Sequence, residues 1–103
     1  MVVSNEPGYY LADGFGVRIE NLLAIEPSDV ATPGGKRFLR FDAITLIPID
    51  TGCVDVSLLD AAEIAWVDAY HATCREKLAP LLRGPGDEAA LAWLLEMTEP
   101  LSV

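Results

Sequence analysis

Basic residues are scarce in this chain, and cysteine and histidine are scarcer. Its 103 residues carry seven Lys and Arg against sixteen Asp and Glu, for a net charge of −9, with two cysteines and one histidine. Phosphate backbones are held by clustered Lys and Arg, and no such cluster occurs, so nucleic acid is excluded as a main partner. The acidity serves solubility instead. Two cysteines, Cys53 and Cys74, do not make a disulfide framework. Neither belongs to a Cys-x-x-Cys pair, and both are expected as reduced, partly buried thiols acting as small apolar residues. No apolar run approaches the ~18 residues of a membrane span. No basic stretch followed by an apolar one opens the chain, so no signal peptide is legible. These absences together predict a soluble, cytoplasmic protein without a membrane partner.

What is present is globular. The chain is 51% hydrophobic and 22% charged, too apolar for a disordered segment, and its length suits one small domain or a piece of a larger one. The expected fold class is α+β, in two stretches of different periodicity. From Met1 to about Asp50 the signals are strands and turns. Met1-Val2-Val3 runs into a Glu6-Pro7-Gly8 turn, Asp13-Gly14 marks a second turn, and Phe15–Ile25 alternates as a strand. Val17, Ile19, Asn21 and Leu23 fall on one face of it, and Arg18, Glu20, Leu22 and Ala24 on the other. A loop rich in Pro, Gly and Thr spans Ser28 to Lys36, and Phe38–Ile49 is a further strand region with Pro48 near its end.

From Asp55 onward the periodicity becomes helical. Asp60-Ala61-Ala62-Glu63 reads as a capping box. Ile64, Val67, His71, Cys74, Leu78 and Leu81 recur at spacings of three and four, as one helix face does. Pro80 should end or kink that helix, Gly84-Pro85-Gly86 breaks the chain, and a second helix should run from Asp87 to Met97 with Leu91, Leu94 and Leu95 inward. Trp66 and Trp93 are expected as core or interface anchors. His71, on the apolar stripe, is expected as a hydrogen-bonded packing residue rather than a catalytic base.

The chemistry points to Glu6 and Glu20. A hairpin turning at Asp13-Gly14 brings these two carboxylates together, and paired carboxylates on a rigid hairpin suit a hard or borderline cation. Arg18 shares the Glu20 face and is placed to orient a carboxylate.

Val3-Ser4-Asn5-Glu6-Pro7-Gly8-Tyr9-Tyr10 and Phe15-Gly16-Val17-Arg18-Ile19-Glu20-Asn21 resemble the end of the catalytic domain of Xaa-Pro aminopeptidases (aminopeptidase P). These belong to the pita-bread metallopeptidases, together with methionine aminopeptidase, prolidase and creatinase. Phe38–Asp50, Trp66, Tyr70-His71 and Glu88–Leu94 resemble the C-terminal extension of the longer, three-domain form. The resemblance implies residues 1–36 as the end of a catalytic domain and residues 37–103 as that extension. It implies antiparallel strands from the end of a pita-bread domain followed by a helical tail. Of the family's metal ligands (two aspartates, one histidine and two glutamates), Glu6 matches the first glutamate, which binds one metal, and Glu20 the second, which bridges both. Tyr10 and Arg18 match supporting positions beside the metals. The implied cofactors are two divalent ions, with Mn²⁺ suited to a carboxylate-rich site and Zn²⁺ or Co²⁺ as alternatives. They activate a water that attacks the peptide bond before a proline at position two. The implied assembly of the intact enzyme is a homodimer.

The family's aspartates and histidines lie upstream of these motifs and none is present. The chain is therefore expected to be a C-terminal piece of such an enzyme, with no catalytic residue of its own beyond the two ligands, inactive alone, and with strand-half side chains such as Val2, Val17 and Ile19 uncovered and prone to association. A non-catalytic structural or oligomerisation module and a prolidase-like peptidase are the alternative functions.

Overall fold

The computed structural model describes residues 1–101. The chain forms two compact units that divide after Thr45.

The first unit is all strand and turn. β1 (Val2–Asn5), β4 (Asn21–Pro27) and β5 (Leu39–Ala43) form an antiparallel sheet in the order β1-β4-β5, and β2 (Gly8–Tyr10) pairs with β3 (Gly16–Arg18). These two sheets share one register. Asn5 stands opposite Asn21, Gly8 opposite Arg18, and the amide of Ile19 donates to the Pro7 carbonyl between them at 3.2 Å. β1 through β4 is thus a single long hairpin whose ladder is interrupted at Glu6-Pro7 and Ile19-Glu20. Proline accounts for part of the break, because Pro7 has no N–H to return to Ile19. The Phe15–Ile25 strand anticipated from sequence is accordingly two strands. The hairpin turns where expected. Asp13 takes a positive φ of 55°, a conformation that Asp tolerates better than most residues, and the Leu11 amide closes the loop on the Phe15 carbonyl at 2.8 Å.

The predicted strand Phe38–Ile49 is shorter than its apolar pattern suggests. β5 follows β4 as far as Ala43 opposite Leu23. The Ile44 amide then donates to the Leu22 carbonyl at 2.9 Å, and the Thr45 hydroxyl accepts from the Leu22 amide at 2.8 Å. That side-chain acceptor ends the ladder. Few apolar side chains here are covered. Val2 is 58% exposed, Val17 49% and Ile19 48%, as the sequence led us to expect.

The second unit begins at Leu46. Two 3₁₀ turns, Thr51–Cys53 and Val56–Leu58, are capped by the carboxylates of Asp50 and Asp55. α1 (Ala61–Leu78) starts at the anticipated capping box, in which the Glu63 amide donates to Asp60 at 2.8 Å and the Asp60 amide to Glu63 at 2.9 Å. Pro80 ends it, and the chain tightens into a 3₁₀ turn over Ala79–Leu81. α2 (Glu88–Met97) follows. The core is small: Tyr70, His71, Cys74, Leu94 and Thr98 are buried. Arg75 ties the end of α2 to α1, donating to the Thr98 hydroxyl at 2.8 Å, to the Leu95 carbonyl and to Glu99 at 2.9 Å.

Several sequence expectations for this unit need correction. Leu81 lies beyond the helix that Pro80 ends and is exposed, and Leu95 is exposed as well. Cys53 is exposed, its thiol 4.0 Å from an Asp50 oxygen, whereas Cys74 is wholly buried; both are free. Of the two places expected for Trp66 and Trp93, core or interface, the core is ruled out: both are about half exposed, Trp66 stacking on Tyr70 with ring centroids 5.7 Å apart.

Candidate metal-ligating face

The hairpin's hydrogen bonds define which residues share its faces. Amide-to-carbonyl bonds link Ile25 to Met1, Ile19 to Pro7 and Leu11 to Phe15, all at odd-numbered positions of the hairpin. Glu6 and Glu20 therefore occupy a non-hydrogen-bonded pair, the kind in which opposed Cα atoms approach to about 4.5 Å and side chains lie closest. Gly8 with Arg18 and Tyr10 with Gly16 are the next such pairs along the same face. Tyr10, Arg18 and Glu6 thus gather on one side of the hairpin, with Glu20 at the register position opposite Glu6.

Two glycines shape this face. A Cβ on Gly16 would come within 2.7 Å of the Tyr10 ring, and one on Gly8 would meet the Arg18 Cγ at 2.7 Å, the Tyr10 hydroxyl at 2.8 Å and the Val17 carbonyl oxygen at 2.8 Å. With no side chain at either position, Tyr10 lies along the hairpin and Arg18 crosses the same gap to reach Glu6, guanidinium to carboxylate at 3.7 Å. The arginine that sequence placed beside Glu20 makes its ion pair with Glu6, diagonally across the hairpin. Both partners are about half exposed, so the pair contributes orientation more than stability.

Electrostatically the face is two opposed carboxylates with one guanidinium beside them. Like charges directly opposite one another repel, and a divalent cation removes that repulsion. Hard oxygen donors are the right chemistry for such an ion. Yet among the described residues no group of three or more His, Cys, Asp or Glu side chains comes together. Glu6 and Glu20 fit a metal ion as part of a ligand set and not as a whole one. His71 belongs to the second unit. It is wholly buried, and its Nε2 accepts the Ile49 amide at 3.0 Å.

Comparison with known proteins identifies the family to which the chain belongs. The family model described as the C-terminal region of peptidase_M24 matches residues 37–101, and the chain belongs to that family. Within it the similarity is to Xaa-Pro aminopeptidases. The chain is 48% identical over 105 residues to Aminopeptidase P2 of Arabidopsis thaliana, with 99% of this chain and 14% of that protein covered. It is 46% identical to a probable Xaa-Pro aminopeptidase P of Laccaria bicolor, with 98% of this chain and 16% of that protein covered. The crystal structure of X-prolyl aminopeptidase from Caenorhabditis elegans, a cytosolic enzyme with a di-nuclear active site, superposes with a TM-score of 0.84 at 37% identity over 97% of this chain and 16% of that one. The chain spans about one-seventh to one-sixth of the length of these relatives. No helix among the described residues is long and apolar enough to cross a membrane.

Proposed function

We propose that this chain supplies the two-glutamate side of a dinuclear metal centre in a cytoplasmic Xaa-Pro aminopeptidase, which removes an N-terminal residue preceding proline from peptides. What supports this reading is the register of the flanking strands, which sets Glu6 opposite Glu20, in a chain 37% identical to an enzyme described as having a di-nuclear active site. Glu6 would ligate one ion and Glu20 would bridge two, Mn²⁺ being best suited to carboxylate donors and Zn²⁺ or Co²⁺ the alternatives. Bound divalent ions would supply Lewis acidity and lower the pKa of water.

The chain's own residues do the positioning. Arg18 would orient the Glu6 carboxylate from the side. Tyr10, laid over the two glycines, walls the same face. Residues 1–36 then belong with the catalytic part and residues 37–103 with the extension, whose exposed Trp66 and Trp93 suit a homodimer contact.

A chimera tests this. The chain replaces the matching region of the Caenorhabditis elegans enzyme, and hydrolysis of an Xaa-Pro peptide is measured. The chimera should be active, and Glu6→Gln or Glu20→Gln in it should remove most activity together with bound metal. Full activity of both variants would refute the ligand assignment.

A further inference from the structure

We propose that His71 is an acid-released latch, holding the Leu46–Ile49 segment against α1 only while its imidazole is neutral. The Ile49 amide donates to Nε2 at 3.0 Å. A ring nitrogen that accepts carries no proton, so the proton of the neutral ring sits on Nδ1. That Nδ1 is buried with no hydrogen-bond partner among the described residues, and the whole side chain is 0% exposed. A second proton has only Nε2 to go to. There it turns the acceptor into a donor facing another donor, and it places a positive charge where no solvent reaches.

The neighbouring groups do not prevent this. Asp68, one turn earlier on α1, favours the charged ring, but burial outweighs it and holds His71 below the usual imidazole range. Asp50, next to Ile49, has its carboxylate on the Gly52 amide. Arg75, one turn later, is committed to Thr98 and Glu99. Tyr70 and Cys74 on the same helix are both shifted upward, away from acid, and the buried residues of α2 and its cap, Leu94 and Thr98, carry no charge. The second tether, from the Tyr70 hydroxyl to the Ile47 carbonyl at 2.9 Å, involves no group that titrates in acid. Protonation therefore frees Ile49 and leaves Ile47 held.

The chain has one histidine, so its NMR titration belongs to a single residue. The His71 ring should titrate with a midpoint below about 6.5. Through that midpoint the Ile49 amide, corrected for intrinsic exchange, should exchange about tenfold faster or more, as expected for loss of a buried hydrogen bond, while the Cys74 amide in α1 stays protected. His71→Gln, which keeps an uncharged acceptor, should leave Ile49 protection flat with pH; His71→Phe should leave Ile49 fast at every pH. Unchanged Ile49 protection through the His71 midpoint would overturn the proposal. So would simultaneous loss at Ile49 and Cys74, which signals general unfolding of the unit. Should either variant fail to fold, the Ile49 and Cys74 amides of the unsubstituted chain decide the matter by themselves.

Discussion

Arg18 reaches across the hairpin to Glu6 rather than staying beside Glu20, its neighbour on the same strand face. Of two opposed carboxylates, one has a cationic partner in the chain and the other is left for a cation from elsewhere. Removing the Glu20 charge should therefore have opposite effects in two settings. In the isolated chain, Glu20→Gln relieves cross-strand repulsion and should stabilise the hairpin by about 0.2–1 kcal/mol at low salt, less as salt is added. In the chimera it should abolish turnover. Amide exchange across β2 and β3 reads the first effect and a peptide assay the second.

Gly8 cannot accept a side chain without displacing the opposite strand, because the Val17 carbonyl is backbone and cannot rotate away. Gly8→Ala should cost about 1–3 kcal/mol and appear as lost protection at Tyr9 and Val17, the hydrogen-bonded pair between β2 and β3. Gly52→Ala, where the nearest atom is an Asp50 side-chain oxygen at 3.1 Å, should be milder.

Thr98 is a buried relay, donating to the Leu94 carbonyl at 2.6 Å and accepting from Arg75. Thr98→Val should destabilise the helical unit by about 1–3 kcal/mol, since it strands the Arg75 donor. Glu99→Gln, at an exposed ion pair, should cost under about 1 kcal/mol. Urea denaturation followed by helical circular dichroism separates the two.

Two side chains of the small core give the helical unit a pH window. Tyr70 is pushed up to about 12 by burial, with Cys74 adding to the shift. Its folded form holds the phenolic proton more tightly than the unfolded chain does. That stability is complete below pH ~10 and is lost as pH rises from there through about 12. His71 is shifted the other way by burial, so its contribution is present above about 6.5 and declines as pH falls. Thermal melts across pH should show both shoulders. Tyr70→Phe should shrink the alkaline one to the part left by the buried Cys74 thiol, which is also shifted upward, and His71→Gln should remove the acid one.

Local signals made much of this architecture legible. The Asp13-Gly14 turn, the Asp60/Glu63 box and the Pro80 stop each act within a few residues, and each is found where the sequence put it. The alternation around Arg18 and Glu20 put these two at positions of one strand face, because a period of two leaves no other choice once the turn is set. What was illegible depends on distant partners. Leu46–Ile49 has strand-like side chains, yet it has no β-strand partner and is held by Tyr70 and His71. Nothing in the local pattern announces a helix as the partner. The same holds for Tyr70, buried beside the predicted stripe, and for Cys53, whose exposure follows from its place in a capped turn.

Tyr70 and His71 are consecutive in α1, yet they meet Ile47 and Ile49, two residues apart, as a carbonyl and an amide on one edge of a strand are. On such an edge the carbonyl and the amide point to the same side, where an adjoining strand would supply one donor and one acceptor. The phenol supplies the donor and the imidazole the acceptor. Two side chains thus imitate the main chain of an absent neighbour. While both hold, this stretch offers no free template for strand addition on that side, and a polypeptide with so much uncovered apolar surface is spared one route to runaway stacking.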